Sequence, residues 1–271
     1  MTMQFSVLQS VYYKDNPAFL YASLQSILNN TVKPVAIILV KDGRLSEELE
    51  SVITEWERKL PLKVVGYTKN QGLAYALNYG LQFVETELVA RMDSDDICYP
   101  DRFEKQVKCF ENNSDLALLS GYIDEFDDNP EEIVSSRTVP LDYSTIKKFL
   151  KRRNAFNHMA VMFKKSAVIA SGNYQRVPYF EDYDLWIRMI NHNFYAINIA
   201  DKLVKARIGN DMIGRRHGIA YARHEVFFLK RQLKIGFITR MEYYILLMLT
   251  IPVRLLPKGI LKKIYSVLRK I

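Results

Sequence analysis

Only two cysteines occur in 271 residues, Cys98 and Cys109, with no Cys-x-x-Cys pair and no clustered histidines. A disulfide scaffold and a structural zinc site are both disfavoured, and a reducing cytosol is the expected compartment. No stretch reaches the ~18 apolar residues of a spanning helix. The nearest, Tyr243 to Val253, is interrupted by a proline and closed by Arg254. The N-terminus lacks a basic start and runs straight into Tyr12-Tyr13-Lys14-Asp15, so no export signal is expected. Repeats and low-complexity segments are missing. With 49% hydrophobic and 25% charged residues the chain is neither collagen-like nor disordered. Its length allows one large domain or two small ones, with a core that needs no staple.

Acidic charge is scarce at one end. Met1 to Asp201 carries 22 Lys+Arg against 27 Asp+Glu, and Lys202 to Ile271 carries 16 against 3. The net of −5 beside +13 suits a C-terminal part that meets something anionic: nucleic acid, a membrane surface or a diphosphate.

What is present is an alternation of strand and helix signals. Phe5–Val11, Val35–Val40, Leu62–Tyr67, Leu88–Met92 and Leu116–Ser120 read as strands. Between them, Pro17–Leu28, a helix capped by Ser46, Leu73–Val84 and Pro100–Phe110 carry helical spacing. Repeated units of this kind predict a parallel sheet covered by helices on both faces, with ligands at the carboxyl ends of the strands. Asp124–Glu132 reads as a solvated acidic turn, Ala160–Phe163 and Tyr195–Ile199 as later strands, and Glu181–Asn191 as a helix. Basic amphipathic helices are expected over Ile219–Leu233, Thr239–Leu249 and Ile260–Leu268.

The strand ends carry the chemistry. Arg91-Met92-Asp93-Ser94-Asp95-Asp96 crowds three carboxylates into four positions after a buried strand. Such a cluster stays ionised cheaply beside a cation, and its oxygen ligands suit Mn2+ or Mg2+; an exposed turn that caps the next helix is the alternative. Asp42-Gly43 ends the second strand, where a carboxylate can accept a nucleobase N–H and the glycine permits close approach. Asn70-Gln71-Gly72 opens a helix whose N–H groups favour an anion, or Asn70 is simply its N-cap.

These segments in order, SVYYKDN, KDG, NQGLAYALNYGL, ARMDSDDICYPDRFEKQ and FEDYDLWIRM, resemble the motifs of family 2 glycosyltransferases over roughly Phe5 to Asn210. Within that family the chain is similar to bacterial transferases of O-antigen, capsule and exopolysaccharide assembly. The resemblance implies a Rossmann-like nucleotide-sugar fold of GT-A type and an inverting reaction. It implies Asp42 at the base, with Asn70, Gly72 and Arg91 beside the donor. Asp93 and Asp95 would form the DXD motif at the ribose, diphosphate and metal, and Asp182 would be the general base. Glu181 is the second choice of base, and the rings of Tyr179 and Phe180 are expected to desolvate Asp182.

On the acceptor side Asp96, His158 and Trp186 are candidates, with a satisfied core histidine and a buried core tryptophan as alternatives. Arg215 and Arg216 are expected to close over the diphosphate, with His217 a possible metal ligand or part of a solvated basic loop.

The expected division is a catalytic domain over 1–209, its nucleotide-sugar half at 1–97 and acceptor half at 98–209, then a basic helical extension over 210–271. By resemblance the donor is a UDP-hexose, UDP-galactose or UDP-glucose. The acceptor is an undecaprenyl-diphosphate-linked N-acetylhexosamine. The tail then lies on an anionic membrane, placing the protein in the cytoplasm at the inner face, or packs on the domain and shows its charges to water. No nucleic-acid-binding signature accompanies the basic residues. A sugar-phosphate nucleotidyltransferase and a non-catalytic adaptor remain as other readings, the first lacking the glycine-rich, arginine-bearing loop it needs after Val11.

Overall fold

A computed structural model of the protein describes residues 3–209 and 217–256. Strands β1 (Phe5–Val11), β2 (Ala36–Asp42), β3 (Leu62–Tyr67) and β4 (Leu88–Met92) lie parallel in the order β3-β2-β1-β4. Successive strand residues face opposite sides, so these apolar runs need cover on both faces. Val7 of β1 packs with α1 (Pro17–Leu28), α2 (Glu47–Trp56) and, across the same face, the later helix at Arg102–Asn112. Leu8, one residue on, packs with α3 (Leu73–Leu81) on the other face; Arg102–Asn112 is α4.

The register pairs Val11 with Lys41 and Gln9 with Met92. β1, β2 and β4 therefore end at one edge, and the segments starting at Tyr12, Gly43 and Asp93 leave it together.

Beyond β4 the sheet becomes mixed. β5 (Ile97–Cys98) runs antiparallel to β9 (Tyr195–Arg207), and β9 runs parallel to β6 (Leu116–Phe126). β6 also pairs with β7 (Ile133–Arg137), and β8 (Met162–Lys164) joins β6 to β4. The acidic segment expected as a solvated turn from Asp124 is corrected here. Asp124 and Glu125 are strand residues, 1% and 7% exposed, because β7 and β9 flank β6 on both sides. Asp124 is compensated by the Tyr99 hydroxyl at 2.6 Å, the Ser136 hydroxyl and Lys202 at 2.8 Å.

Short helices α5 (Tyr143–Phe149) and α6 (Lys165–Ala170), which the periodicity did not reveal, precede α7 (Glu181–Asn191). α8 (Gly218–Lys234) and α9 (Arg240–Leu255) follow. The helix expected over Ile260–Leu268 lies outside the described residues, as do Arg215 and Arg216. The expected boundary at residue 209 does not divide the core: Tyr221, Phe228, Leu229, Tyr243 and Leu246 share one apolar cluster with Trp186 of α7 and Leu8 of β1. No described helix is long and apolar enough to cross a membrane.

Candidate active site

β4 delivers the aspartate cluster to the strand edge, and the surrounding polar side chains hold it there. One carboxylate oxygen from each of Asp93, Asp95 and Asp96 lies within 4.8 Å of the others. The Asp93 carbonyl accepts from Gln9 Nε2 and from Ser23 Oγ, both at 3.0 Å. Ser94 Oγ donates to Asp15 at 2.8 Å. Arg102, fully buried, donates to the Arg91 carbonyl at 2.7 Å and so fixes the last residues of β4.

Asp96 is 3% exposed; its Oδ1 accepts the Arg207 backbone N–H at 2.8 Å, and its Oδ2 is buried without a partner. Burial, and then the charge of Asp93, pushes Asp95 up to about 6 and Asp96 well above the usual carboxylate range. Burial likewise raises Asp15 to about 6. Three converging carboxylates and an unsatisfied buried oxygen on Asp96 fit a hard divalent cation.

Asp96, expected at the acceptor, belongs instead to this cluster, because its burial leaves it no surface to offer a sugar. His217, expected as a further ligand, is not among the metal-capable groups of the described residues. Its Nε2 bonds the Leu256 carbonyl at 2.7 Å, which ties the start of α8 to the end of α9.

Asp42 ends β2 at 5% exposure with four donors on its carboxylate. Oδ1 accepts the Tyr67 hydroxyl at 2.9 Å and Gln71 N–H at 2.7 Å; Oδ2 accepts Asn70 Nδ2 and Gly72 N–H, each at 3.0 Å. A base N–H would have to share or displace one of these. Asn70 is not the helix cap: Gly72 is, at a φ of +87° that favours glycine, and Asp42 supplies the capping oxygen from another strand. The close approach that Gly43 permits is made by the protein itself, since a Cβ there would meet Asn70 N at 2.7 Å.

Glu181 and Asp182 open α7. Asp182 Oδ2 accepts Asn154 Nδ2 at 2.8 Å. Burial raises its proton affinity, while Asn154 and the charges of Arg91 and Arg137 work against the rise. Glu181 is pushed up to about 7, chiefly by burial and further by the charge of Asp182.

Arg91 connects the two groups of carboxylates. It is 2% exposed and ion-paired with Asp93, its charge reaches Asp182, and its Nε and Nη1 are buried without partners. The buried Tyr174 hydroxyl lies within electrostatic reach of both Asp93 and Asp182.

The rings expected to desolvate Asp182 make their aromatic contacts with α8. Phe180 packs on Phe228, and Tyr179 packs on Tyr221 and His224, all residues of α8. Tyr179 is held at a φ of 69°, a region that costs a non-glycine residue about 1 kcal/mol or more. Asp184 pairs with Arg188 at 2.8 Å and Arg231 at 2.9 Å, and so clamps α7 to α8.

Trp186 is 0% exposed, ringed by Phe156, His158, Phe163 and Tyr174, and cannot lie under a sugar. His158 bonds the Tyr174 hydroxyl through Nε2 at 3.0 Å, and burial followed by the Arg91 charge holds it well below the usual imidazole range. It is a neutral wall of the site.

Several site residues escaped the sequence reading. Arg207 is sandwiched by Phe19 and Phe126, 3.7 and 4.5 Å from the ring centroids, and its charge reaches Asp95. It stands 111 residues from Asp96, so no local pattern marks it. Gln9 was the one legible signal, an amide within the buried strand FSVLQSV.

The description "Glycosyl transferase family 2" matches residues 6–170. The amylovoran biosynthesis glycosyltransferase AmsE of Erwinia amylovora is 40% identical over 98% of this chain and 99% of its own. A UDP-Gal:alpha-D-GlcNAc-diphosphoundecaprenol beta-1,3-galactosyltransferase of Escherichia coli is 38% identical over 98% of this chain and 96% of its own. Among solved structures, a mannosyltransferase of Pyrobaculum calidifontis in complex with GDP-Man and Mn2+ superposes with a TM-score of 0.66. At 17% identity, over 98% of this chain and 80% of that one, it supports the fold alone.

Proposed function

The chain belongs to glycosyl transferase family 2 and is a glycosyltransferase of bacterial polysaccharide biosynthesis, and we propose the reaction that its site performs. It transfers a hexose, with inversion, from UDP-galactose or UDP-glucose to a hydroxyl of a lipid-diphosphate-linked N-acetylhexosamine. The name of the Escherichia coli relative supports UDP-galactose as donor and a lipid-diphosphate-linked N-acetylhexosamine as acceptor. Family membership displaces the nucleotidyltransferase and adaptor readings.

The acceptor oxygen attacks the anomeric carbon as the bond from that carbon to the diphosphate oxygen breaks. The acceptor proton passes to the Asp182 carboxylate, whose burial strengthens it as a base and whose rotamer Asn154 fixes. Asp93, Asp95 and Asp96 would hold a divalent cation, Mn2+ or Mg2+, which offsets charge on the departing diphosphate. Gln9, Ser23 and Arg102 keep that cluster in place before substrate arrives. Arg91 lets the two carboxylate groups stand in one buried site by lowering the repulsion between them.

The observation that carries this reading is that the buried Arg91 pairs with Asp93 while its charge also acts on Asp182. It is tested with UDP-hexoses and a synthetic lipid-diphosphate acceptor, with products weighed by mass spectrometry. Wild-type protein should add one hexose. Asp182→Asn should lose transfer by about a hundred-fold or more and keep UDP binding by calorimetry. Unimpaired turnover in that variant removes Asp182 as the base, and transfer from no UDP-hexose removes the donor assignment.

A further inference from the structure

α9 is apolar on two sides. Tyr243 and Leu246 face the core shared with α7 and α8. On the other side Met241, Tyr244, Ile245, Met248 and Leu249 recur at helical spacing and are 71%, 62%, 41%, 68% and 64% exposed. A helix that is apolar all round is ordinarily buried all round. A groove lined by Ile219, Val226 and Arg223 of α8 and by Ile251 and Leu255 of α9 extends this apolar surface between the two helices.

The charge around this surface has one sign. α8 and α9 hold two acidic residues, and both are engaged internally: Glu225 with Arg254 at 2.8 Å, and Glu242 with Lys151 at 2.7 Å. Arg223, Lys230, Lys234 and Arg240 are exposed, and none is ion-paired among the described residues. The sequence from 257 to 271 adds five basic residues and no acidic one.

We infer that this face of α8 and α9 seats the protein on an anionic lipid bilayer, with the α9 stripe among the headgroups and the basic residues against lipid phosphate. The occupant follows from charge. A second copy of the chain would set a net +13 over Lys202 to Ile271 against the same charge, and the segment 257–271 would bring cations to cations. A zwitterionic or neutral partner would leave the cations uncompensated. With 16 residues, α9 is too short to span and lies in the interfacial plane.

The test is flotation of the full-length protein with vesicles of phosphatidylcholine alone and of phosphatidylcholine mixed with phosphatidylglycerol, beside the double variant Met248→Asp/Leu249→Asp. Both positions are exposed, so the variant should keep its circular dichroism and its transfer to a water-soluble acceptor. Wild type should float with the anionic vesicles, and the variant's bound fraction should fall about ten-fold. Tyr244→Trp adds a direct readout, because Trp56 and Trp186 are both 0% exposed. Its emission should shift to the blue on anionic vesicles only.

Equal flotation of the double variant would overturn the assignment in favour of another part of the chain. Equal binding to phosphatidylcholine alone would overturn the anionic preference. A dimer that the double variant dissolves, without flotation of wild type, would hand the stripe to a second copy. Soluble-acceptor transfer reports the reaction separately, so failure here leaves the proposed chemistry standing.

Discussion

The ring of Phe180, one residue before the Glu181-Asp182 pair, stacks on Phe228 of α8 with centroids 4.5 Å apart and planes 9° apart. The helix that carries the proposed base is thus braced by a helix from the basic C-terminal region. Phe228→Ala should destabilise the protein by about 3–5 kcal/mol, read as a lower urea midpoint. It should also lower kcat more than the affinity for UDP, since the cavity loosens α7 and spares the β4 edge. An unchanged midpoint would show that α8 does not brace α7.

Glu181 gives the stability a defined pH dependence. Its carboxyl is raised from 4.5 to about 7 in the folded protein, so folding favours its protonated form. The contribution is fully present below pH 4.5 and is lost as the pH rises through about 7. Glu181→Gln should remove that part of the slope, so the stability gap between variant and wild type should grow in the variant's favour from acidic to neutral pH. Urea titrations across that range measure it, and parallel curves would refute the burial of a titrating Glu181.

Asp42→Ala strips four donors of their acceptor at once. Buried donors left unpaired cost about 1–3 kcal/mol each where water cannot reach them, so a loss of several kcal/mol is expected, together with weaker UDP binding. Calorimetry of UDP binding alongside urea unfolding separates the two effects. Full UDP affinity in a folded variant would leave Asp42 a purely structural role.

Asp95→Asn removes one of three mutually repelling carboxylates, so the metal-free protein should melt at the same or a higher temperature than wild type. Its UDP binding in the presence of Mn2+ should weaken by about ten-fold or more, as expected when a direct carboxylate ligand is lost. Chelation of the cation from wild type should reproduce that weakening. If Mn2+ and chelator leave UDP affinity alike in both proteins, the cluster is not a cation site.

The order β1 to β4 and α1 to α4 was legible because these strands are largely apolar runs and these helices repeat apolar residues every three or four positions, whereas β5, β7, α5 and α6 are too short or too polar to show either pattern. Asp93, Asp95 and Asp182 were legible because their acids stand beside such runs in recognisable motifs. Burial decided the roles of their neighbours, and burial is a property of packing. Trp186 became core because the rings of Phe156, His158, Phe163 and Tyr174 close around it, and Asp96 joined the carboxylate cluster because β9 covers it from behind. The sequence by itself determined which side chains carry charge and which segments fold as units. Tertiary structure alone decided that Asp15 meets Ser94, that Arg207 meets Asp96 and that Asn154 meets Asp182. These partners lie 79, 111 and 28 residues apart, and no local periodicity encodes a contact that only sheet order and helix packing create.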